Sequence, residues 1–108
     1  MLVYLAHPVV SDPAGNYQKA KQIAREIVNR HPEVVPVSPV LNFCYFREPE
    51  ERKNIMRCCL RLLSVCEELW LTGHWWNSSG CLQEKQLAEE LGIPVRIYSL
   101  PTAINAVE

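Results

Sequence analysis

The polar segment at residues 78–84 ends in a carboxylate whose position in its helix is unusual. The segment follows an apolar run at residues 69–72 that is typical of a β-strand, and it precedes a helical pattern that ends at Gly92. Counting from Glu84 at spacings of three, four and seven gives the side chains that must face the protein interior, namely Leu87, Ala88 and Leu91. Glu84 therefore lies on the inward face of the helix.

An inward carboxylate is costly, because an unpaired buried charge is poorly solvated and its pKa shifts until it is neutral. A functional role for Glu84 is one reason to keep it there. The alternative is that Glu84, in the first turns of its helix, complements the helix dipole and reaches sideways to water. This feature alone leaves both interpretations open.

The composition is that of an ordinary globular protein. The chain has 108 residues, 48% of them hydrophobic and 21% charged, and we expect a single domain over residues 1–108. The net charge of -1 gives no general attraction for nucleic acid polymers or for an anionic membrane. No apolar segment reaches membrane-spanning length, and the amino terminus lacks the basic region of a signal peptide, so we expect a cytoplasmic protein.

The five cysteines include no C-x-x-C pair, which argues against a disulfide framework and against a metal site. We interpret most of them as small buried hydrophobic residues. Cys81 has an alternative, because a thiol near a helix amino terminus can have a lowered pKa. Neither G-x-G-x-x-G nor a Walker-type motif is present, so we expect no dinucleotide redox chemistry, no nucleotide triphosphate hydrolysis and no cofactor.

Strand and helix patterns alternate along the chain. We predict strands at Leu2–Ala6 and at residues 34–37, 68–72 and 94–98, and helices at residues 17–30, 49–66 and 80–91. The first helix should place its inner stripe at Ala20, Ile23, Ala24, Ile27 and Val28. Alternating elements with nearly continuous apolar strands predict an α/β, Rossmann-like three-layer sandwich with a four-stranded parallel sheet in the order 2-1-3-4.

A ligand site in such a sheet lies beyond the carboxyl ends of the strands, where strand order reverses. Three segments meet there, at residues 7–16, 38–46 and 73–80. They offer hydroxyls, backbone amides at a helix start and aromatic rings on which a planar base can stack, although these rings are also typical of a core or an interface. The candidate ligand-binding residues are His7, Pro8, Asn16, Ser38, Trp75, Ser78, Ser79 and Gly80.

The helix at residues 49–66 carries a band of apolar residues wider than one sheet face needs. A subunit contact would use the surplus, so we expect a homo-oligomer, a dimer or larger. The alternative is that the long loop before this helix covers the extra surface.

If the ligand contains a sugar, an inward carboxylate such as Glu84 suggests glycosyl transfer. That chemistry needs a carboxylate at the anomeric carbon, where positive charge develops, and a group that assists the leaving group. The usual second group is another carboxylate, and the loops offer only Asp12 and Glu48. His7 and His74 are alternative acids, because the pKa of histidine lies near neutral pH.

The chain resembles the nucleoside 2-deoxyribosyltransferase-like superfamily, especially its small bacterial and phage members, over nearly its whole length. The matching stretches are residues 3–8 (VYLAHP) with Asn16, 36–39 (PVSP), 66–73 (CEELWLTG), 79–84 (SGCLQE) and 91–95 (LGIPV). The resemblance implies that Glu84 is the nucleophile that takes the deoxyribosyl group from a nucleoside. It also implies that Tyr4 positions Glu84.

Two residues depart from the pattern of that superfamily. His7 stands where its members usually have Gly, which would narrow the sugar or phosphate pocket. Ser78 stands six residues before Glu84, where they have an Asp that assists the base. A hydroxyl does not replace a carboxylate as an acid or base at neutral pH. This departure favours hydrolysis or binding over transfer.

Three hypotheses follow for function. The first is an enzyme that cleaves or transfers the N-glycosidic bond of a nucleoside or nucleotide. The second is a non-catalytic module that senses or sequesters a nucleotide. The third is an interaction protein that uses the wide apolar face of its second long helix.

Overall fold

The computed structural model describes residues 1–10 and 12–99 as alternating strands and helices. The strands are β1 (Leu2–Ala6), β2 (Val35–Val37), β3 (Glu68–Leu71) and β4 (Val95–Ile97), and the helices are α1 (Pro13–Arg30), α2 (Pro39–Asn42), α3 (Arg52–Leu63) and α4 (Ser79–Leu91). A single 3-10 turn, Trp75–Asn77, lies between β3 and α4.

The four strands form one parallel sheet in the order β2-β1-β3-β4, which confirms the predicted fold class. Tyr4 of β1 pairs with Val37 of β2 on one side and with Leu69 of β3 on the other. Because β2 and β3 flank β1 on opposite sides, strand order reverses between β1 and β3. Their carboxyl ends therefore flank the crevice where ligands of such sheets bind.

Each face of the sheet has its own core, because successive side chains of a strand point to opposite faces. Val3 and Leu5 pack with α1 residues such as Ile27 on one face. Tyr4 and Ala6 pack with α3 and α4 on the other face, in a cluster of buried residues that also contains Cys59, Leu63, Leu69, Leu71, Cys81 and Ala88. The faces have different roles, since only the second one carries Glu84.

Helix α1 begins at Pro13, four residues earlier than predicted. The Asp12 carboxylate accepts a hydrogen bond from the backbone N–H of Gly15 at 3.3 Å, and Pro13 is favoured at a first helical position. The prediction that Val28 faces inward is wrong. Its side chain is 45% exposed, because the inner stripe of α1 is narrower than the sequence suggested.

The segment between β2 and α3 is also organised differently from the prediction. The short helix α2 was missed, and its amino terminus is capped by Ser38, whose hydroxyl accepts from the N–H of Leu41 at 3.4 Å. Helix α3 begins at Arg52, three residues later than predicted, and ends at Leu63. Residues 48–51 instead form turns.

Much of the wide apolar face of α3 is covered by the chain itself. Ile55, Met56, Cys59 and Leu63 are buried, and Phe43 and Phe46 from the preceding loop pack against the same core. The loop thus covers surplus surface, as the alternative interpretation expected. A homo-oligomer stays a prediction.

Candidate functional site

A cavity lies on the α3/α4 side of the sheet, at the carboxyl ends of the strands. The space within it is about 490 Å³ when the open solvent at its mouth is included. Loops that follow three different strands contribute to its wall, as expected for this class of sheet. The lining residues that bear on its chemistry are His7, Phe43, Phe46, Glu48, Arg52, Ser78, Gly80, Cys81 and Glu84.

Glu84 and Tyr4 form a buried pair at this cavity. Tyr4 is fully buried on β1, and Glu84 is only 5% exposed in the second turn of α4. The Tyr4 hydroxyl donates a hydrogen bond to Oε2 of Glu84. The carboxylate does not reach sideways to water, so the helix-dipole interpretation does not describe its position.

Burial sets the ionisation of this pair. It raises the pKa of the Glu84 carboxyl from its usual 4.5 to about 7, although the Tyr4 hydrogen bond and the Arg52 guanidinium both lower it. Burial, together with the neighbouring Glu84, also raises the pKa of Tyr4 well above its usual range, so the phenol stays protonated and remains a donor. Glu84 thus has both protonation states accessible near neutral pH.

A second carboxylate reaches the same cavity from the loop before α3. Oε2 of Glu48 accepts from Nη1 of Arg52 at 2.8 Å, in an ion pair whose side chains are 12% and 30% exposed. The other oxygen of Glu48, Oε1, is buried and has no hydrogen-bond partner among the described residues. Of the two loop carboxylates that the sequence offered, only Glu48 lines this cavity.

The Arg52 side chain packs against α4 at Gly80. A Cβ atom built on Gly80 would overlap Nη2 of Arg52 and would lie 3.4 Å from Sδ of Met56. The group that approaches Gly80 closely is therefore the Arg52 guanidinium. Without a side chain at this position, Arg52 can contact Glu48 while staying near Glu84.

We expect Gly80→Ala to move the Arg52 guanidinium away from its position beside α4, and so to weaken the function of the site, without unfolding the protein. Alanine favours a helix by up to about 1 kcal/mol over glycine, which offsets part of the steric cost. Displacement of Arg52 removes one influence that lowers the pKa of Glu84. NMR titration of Glu84 should therefore give a higher pKa in the variant. An unchanged pKa would show that the guanidinium stays in place.

Ser78 lines the cavity, but its hydroxyl already has a structural role. Oγ of Ser78 accepts from the backbone N–H of Cys81 at 3.2 Å and caps α4. Ser79, the next residue, is exposed and does not line the cavity. The Ser78 hydroxyl thus contacts the amino-terminal end of α4.

The cysteines near Glu84 are buried thiols. Burial, reinforced by the negative charge of Glu84, raises the pKa of Cys59 and of Cys81 to about 12. The alternative of a reactive Cys81 thiolate at the helix amino terminus does not hold, since burial outweighs the helix terminus. Both thiols pack in the core beside Tyr4.

His7 lies between the main cavity and a second pocket. Its Nδ1 donates to the carbonyl oxygen of Pro8 at 2.8 Å, and its Nε2 is buried without a partner among the described residues. Burial lowers the pKa of His7, so the ring is neutral with Nε2 unprotonated. The second pocket is lined by His7, Pro8, Asp12, Asn16, Lys19, Gly73 and His74.

Asn16, Ser38 and Trp75 do not line the main cavity. Asn16 is buried, and its Nδ2 donates to the carbonyl oxygen of Val9 at 3.1 Å, which ties α1 to the loop after β1. Ser38 caps α2, and Trp75 is half-buried against the core. Tyr45 and Trp76 are mostly exposed, whereas Phe43 and Phe46 line the cavity. Ligand contacts by these residues stay predictions.

Arg52 was not predicted from the sequence as a cavity residue, and Glu48 was predicted only as an alternative second carboxylate. The signal that could have found them is their spacing, because residues four apart lie on one side of a helical turn and oppositely charged pairs form there. Within the described ranges, no cluster of three metal-binding side chains occurs. In the same part of the chain, no helix has the length and apolar character needed to cross a bilayer.

Comparison with known proteins gives a fold relative and a family. A solved structure of a 2-deoxyribosyltransferase from Bacillus psychrosaccharolyticus aligns with a TM-score of 0.66 at 18% sequence identity, covering 98% of this chain and 81% of that chain. At this identity, the likeness establishes a shared fold. No curated protein matches the sequence. The family model described as a domain of unknown function, DUF7768, matches residues 1–98, and the chain therefore belongs to that family.

Proposed function

We propose that this protein cleaves the N-glycosidic bond of a nucleoside or nucleotide, with Glu84 as the nucleophile. The observation that carries the proposal is the buried Glu84, held by the Tyr4 hydroxyl in the wall of a cavity at the carboxyl ends of the strands. The fold shared with a 2-deoxyribosyltransferase supports a nucleoside-related role.

In the proposed reaction, a Glu84 oxygen forms a bond to the anomeric carbon while the bond from that carbon to the base nitrogen breaks. The bonding electron pair leaves with the base, which takes a proton from solvent. Water then attacks the anomeric carbon of the glycosyl-enzyme, which releases the sugar and frees Glu84. A second base in place of water would give transfer.

The surroundings of Glu84 suit a nucleophile. Tyr4 fixes one carboxylate oxygen, so the orientation of the group is set before substrate binds. A pKa of about 7 leaves a substantial fraction ionised at neutral pH, and the anion in a buried site is poorly stabilised by water. The positive charge that develops on the sugar ring compensates this anion in the transition state.

The capping role of the Ser78 hydroxyl favours a second candidate function. In this candidate, the protein is a module that binds a nucleoside or nucleotide without consuming it. The Ser78 hydroxyl caps α4 and supplies no acid or base beside Glu84. In such a module, protonated Glu84 would donate a hydrogen bond to the sugar. The two candidates differ in whether base is released.

The test is chromatographic detection of free base after incubation with ribo- and deoxyribonucleosides and their monophosphates, with Glu84→Gln in parallel. We expect release by the unsubstituted chain and a loss of at least about 1,000-fold in the variant, since removal of a nucleophile leaves only binding and electrostatic effects. Absence of release, with a ligand that raises the melting temperature, would favour the binding module.

A further inference from the structure

We propose that Oε1 of Glu48 accepts a hydrogen bond from an N–H group of the substrate base, so that the cavity selects bases that carry such a donor. This inference rests on the proposed function, because it assigns the base to the part of the cavity formed by the loop before α3. It concerns binding, and it can therefore be tested apart from turnover.

The two carboxylate oxygens of Glu48 have unequal environments. Oε2 accepts from Arg52 at 2.8 Å, whereas Oε1 is buried and unpartnered among the described residues. A buried acceptor without a donor loses its hydrogen bonds to water and gains nothing in return. A ligand that supplies an N–H would remove this cost. A ligand that places a carbonyl or ether oxygen there would add repulsion.

Glu48 shares the cavity wall with aromatic side chains. Phe43 and Phe46, from the same loop, line the cavity with their ring centroids 6.2 Å apart. Aromatic side chains bind planar bases by stacking, and an acceptor beside them reads the edge of the base. Glu84, which lines the same cavity and accepts from the Tyr4 hydroxyl, suits the sugar.

The ion pair with Arg52 makes Glu48→Gln an informative substitution. Arginine is only a donor, so the amide oxygen of Gln must stay against Arg52, and the amide NH2 takes the place of Oε1. The substitution thus changes the group that faces the ligand from an acceptor to a donor. The shape of the side chain is conserved.

The experiment measures dissociation constants by calorimetry in the Glu84→Gln background, where substrate is not consumed. Adenosine, guanosine and cytidine carry N–H donors on the base, whereas purine riboside has none and 6-methoxypurine riboside offers only acceptors. We expect at least one donor-bearing nucleoside to bind roughly tenfold or more tightly than both analogues, as for a buried hydrogen bond to a charged group. Adding Glu48→Gln should reverse the preference toward the methoxy analogue.

Glu50→Gln is the matched control, because Glu50 is exposed in the same loop and does not line the cavity. It should keep the original preference. The inference would be overturned if the Glu84→Gln protein, with Glu48 intact, bound donor-bearing and donor-free nucleosides equally. It would also be overturned if adding Glu48→Gln left the preference unchanged.

These outcomes separate the inference from the proposed function. Base release by the unsubstituted chain without donor preference would overturn only the role of Glu48. Donor preference without base release would support the role of Glu48 in a binding module. Failure to bind any nucleoside or nucleoside monophosphate would overturn both.

Discussion

Replacement of Glu84 by Gln is expected to stabilise the folded protein above neutral pH while it abolishes the proposed base release. Burial raises the pKa of Glu84 from 4.5 to about 7, so the folded chain holds this proton more tightly than the unfolded chain does. The corresponding stability is present in full below about pH 4.5 and is lost as pH rises through about 7.

The size of this effect follows from the difference between the two pKa values. Between about pH 5 and about pH 8, ionisation of Glu84 should lower the free energy of unfolding of the unsubstituted chain by roughly 2 to 3 kcal/mol. Glutamine carries no charge at either pH. From about pH 5 to about pH 8, the free energy of unfolding of Glu84→Gln should therefore rise by roughly 2 to 3 kcal/mol relative to that of the unsubstituted chain.

Urea unfolding at both pH values measures the difference. Glu90→Gln is the matched control, because Glu90 is an exposed carboxylate on the same helix that accepts from the Gln86 side chain at 3.2 Å. It should leave the pH dependence unchanged. A stability difference between Glu84→Gln and the unsubstituted chain that does not vary with pH would show that Glu84 is not perturbed by burial.

A gain in stability on loss of a polar side chain is typical of a functional group that a fold keeps at a cost. Here the cost has a specific origin. The ionised Glu84 has Tyr4 as its hydrogen-bond donor, and Arg52 is shared with Glu48. The cavity therefore contains two carboxylates and one guanidinium, an arrangement that a positively charged transition state or a base with N–H donors would complement.

The sheet could be predicted from the sequence because its signals are local. β1 and β3 are nearly continuous apolar runs, and the helices between them have clear inner stripes, so alternation alone determined the parallel arrangement. The start of α1 was misplaced because its first turn is defined by the Asp12 cap and Pro13 rather than by apolar periodicity. The four residues of α2 are too few to show any periodicity.

The candidate site could be predicted only in part. The inward position of Glu84 follows from helical spacing, and its buried environment in the structure agrees with that prediction. The same spacing was wrong for Leu91, which is 51% exposed at the end of α4. The approach of Arg52 to Gly80, and the placement of Glu48 in the same cavity, depend on the packing of α3 against α4 and on an irregular loop. No periodic pattern in the sequence encodes a contact of that kind.

Tyr4→Phe is expected to shift the pH dependence of base release to higher pH. The hydrogen bond from the Tyr4 hydroxyl lowers the pKa of Glu84, so its removal should raise that pKa above about 7. A hydrogen bond to a charged group contributes about 1.5 to 3 kcal/mol, which corresponds to roughly one to two pH units. At about pH 6, kcat/KM should therefore fall by roughly 10-fold to 100-fold, because less Glu84 is ionised.

The shape of the profile distinguishes this effect from general damage to the site. If Tyr4 acts by favouring the ionised form of Glu84, much of the lost activity should return as pH rises past the new pKa. Loss of orientation alone would lower kcat/KM by the same factor at every pH. Measurement of kcat/KM between about pH 5 and about pH 9 separates the two explanations.

Tyr98→Phe provides the matched control for loss of a buried hydroxyl. The Tyr98 hydroxyl has no hydrogen-bond partner among the described residues, and its ring stacks on Trp70 at 5.6 Å, on the face of the sheet away from Glu84. Its removal should leave the pH profile unchanged. If Tyr98→Phe shifted the profile as much as Tyr4→Phe does, the shift would reflect a change in the sheet, and Tyr4 would not be the residue that sets the ionisation of Glu84.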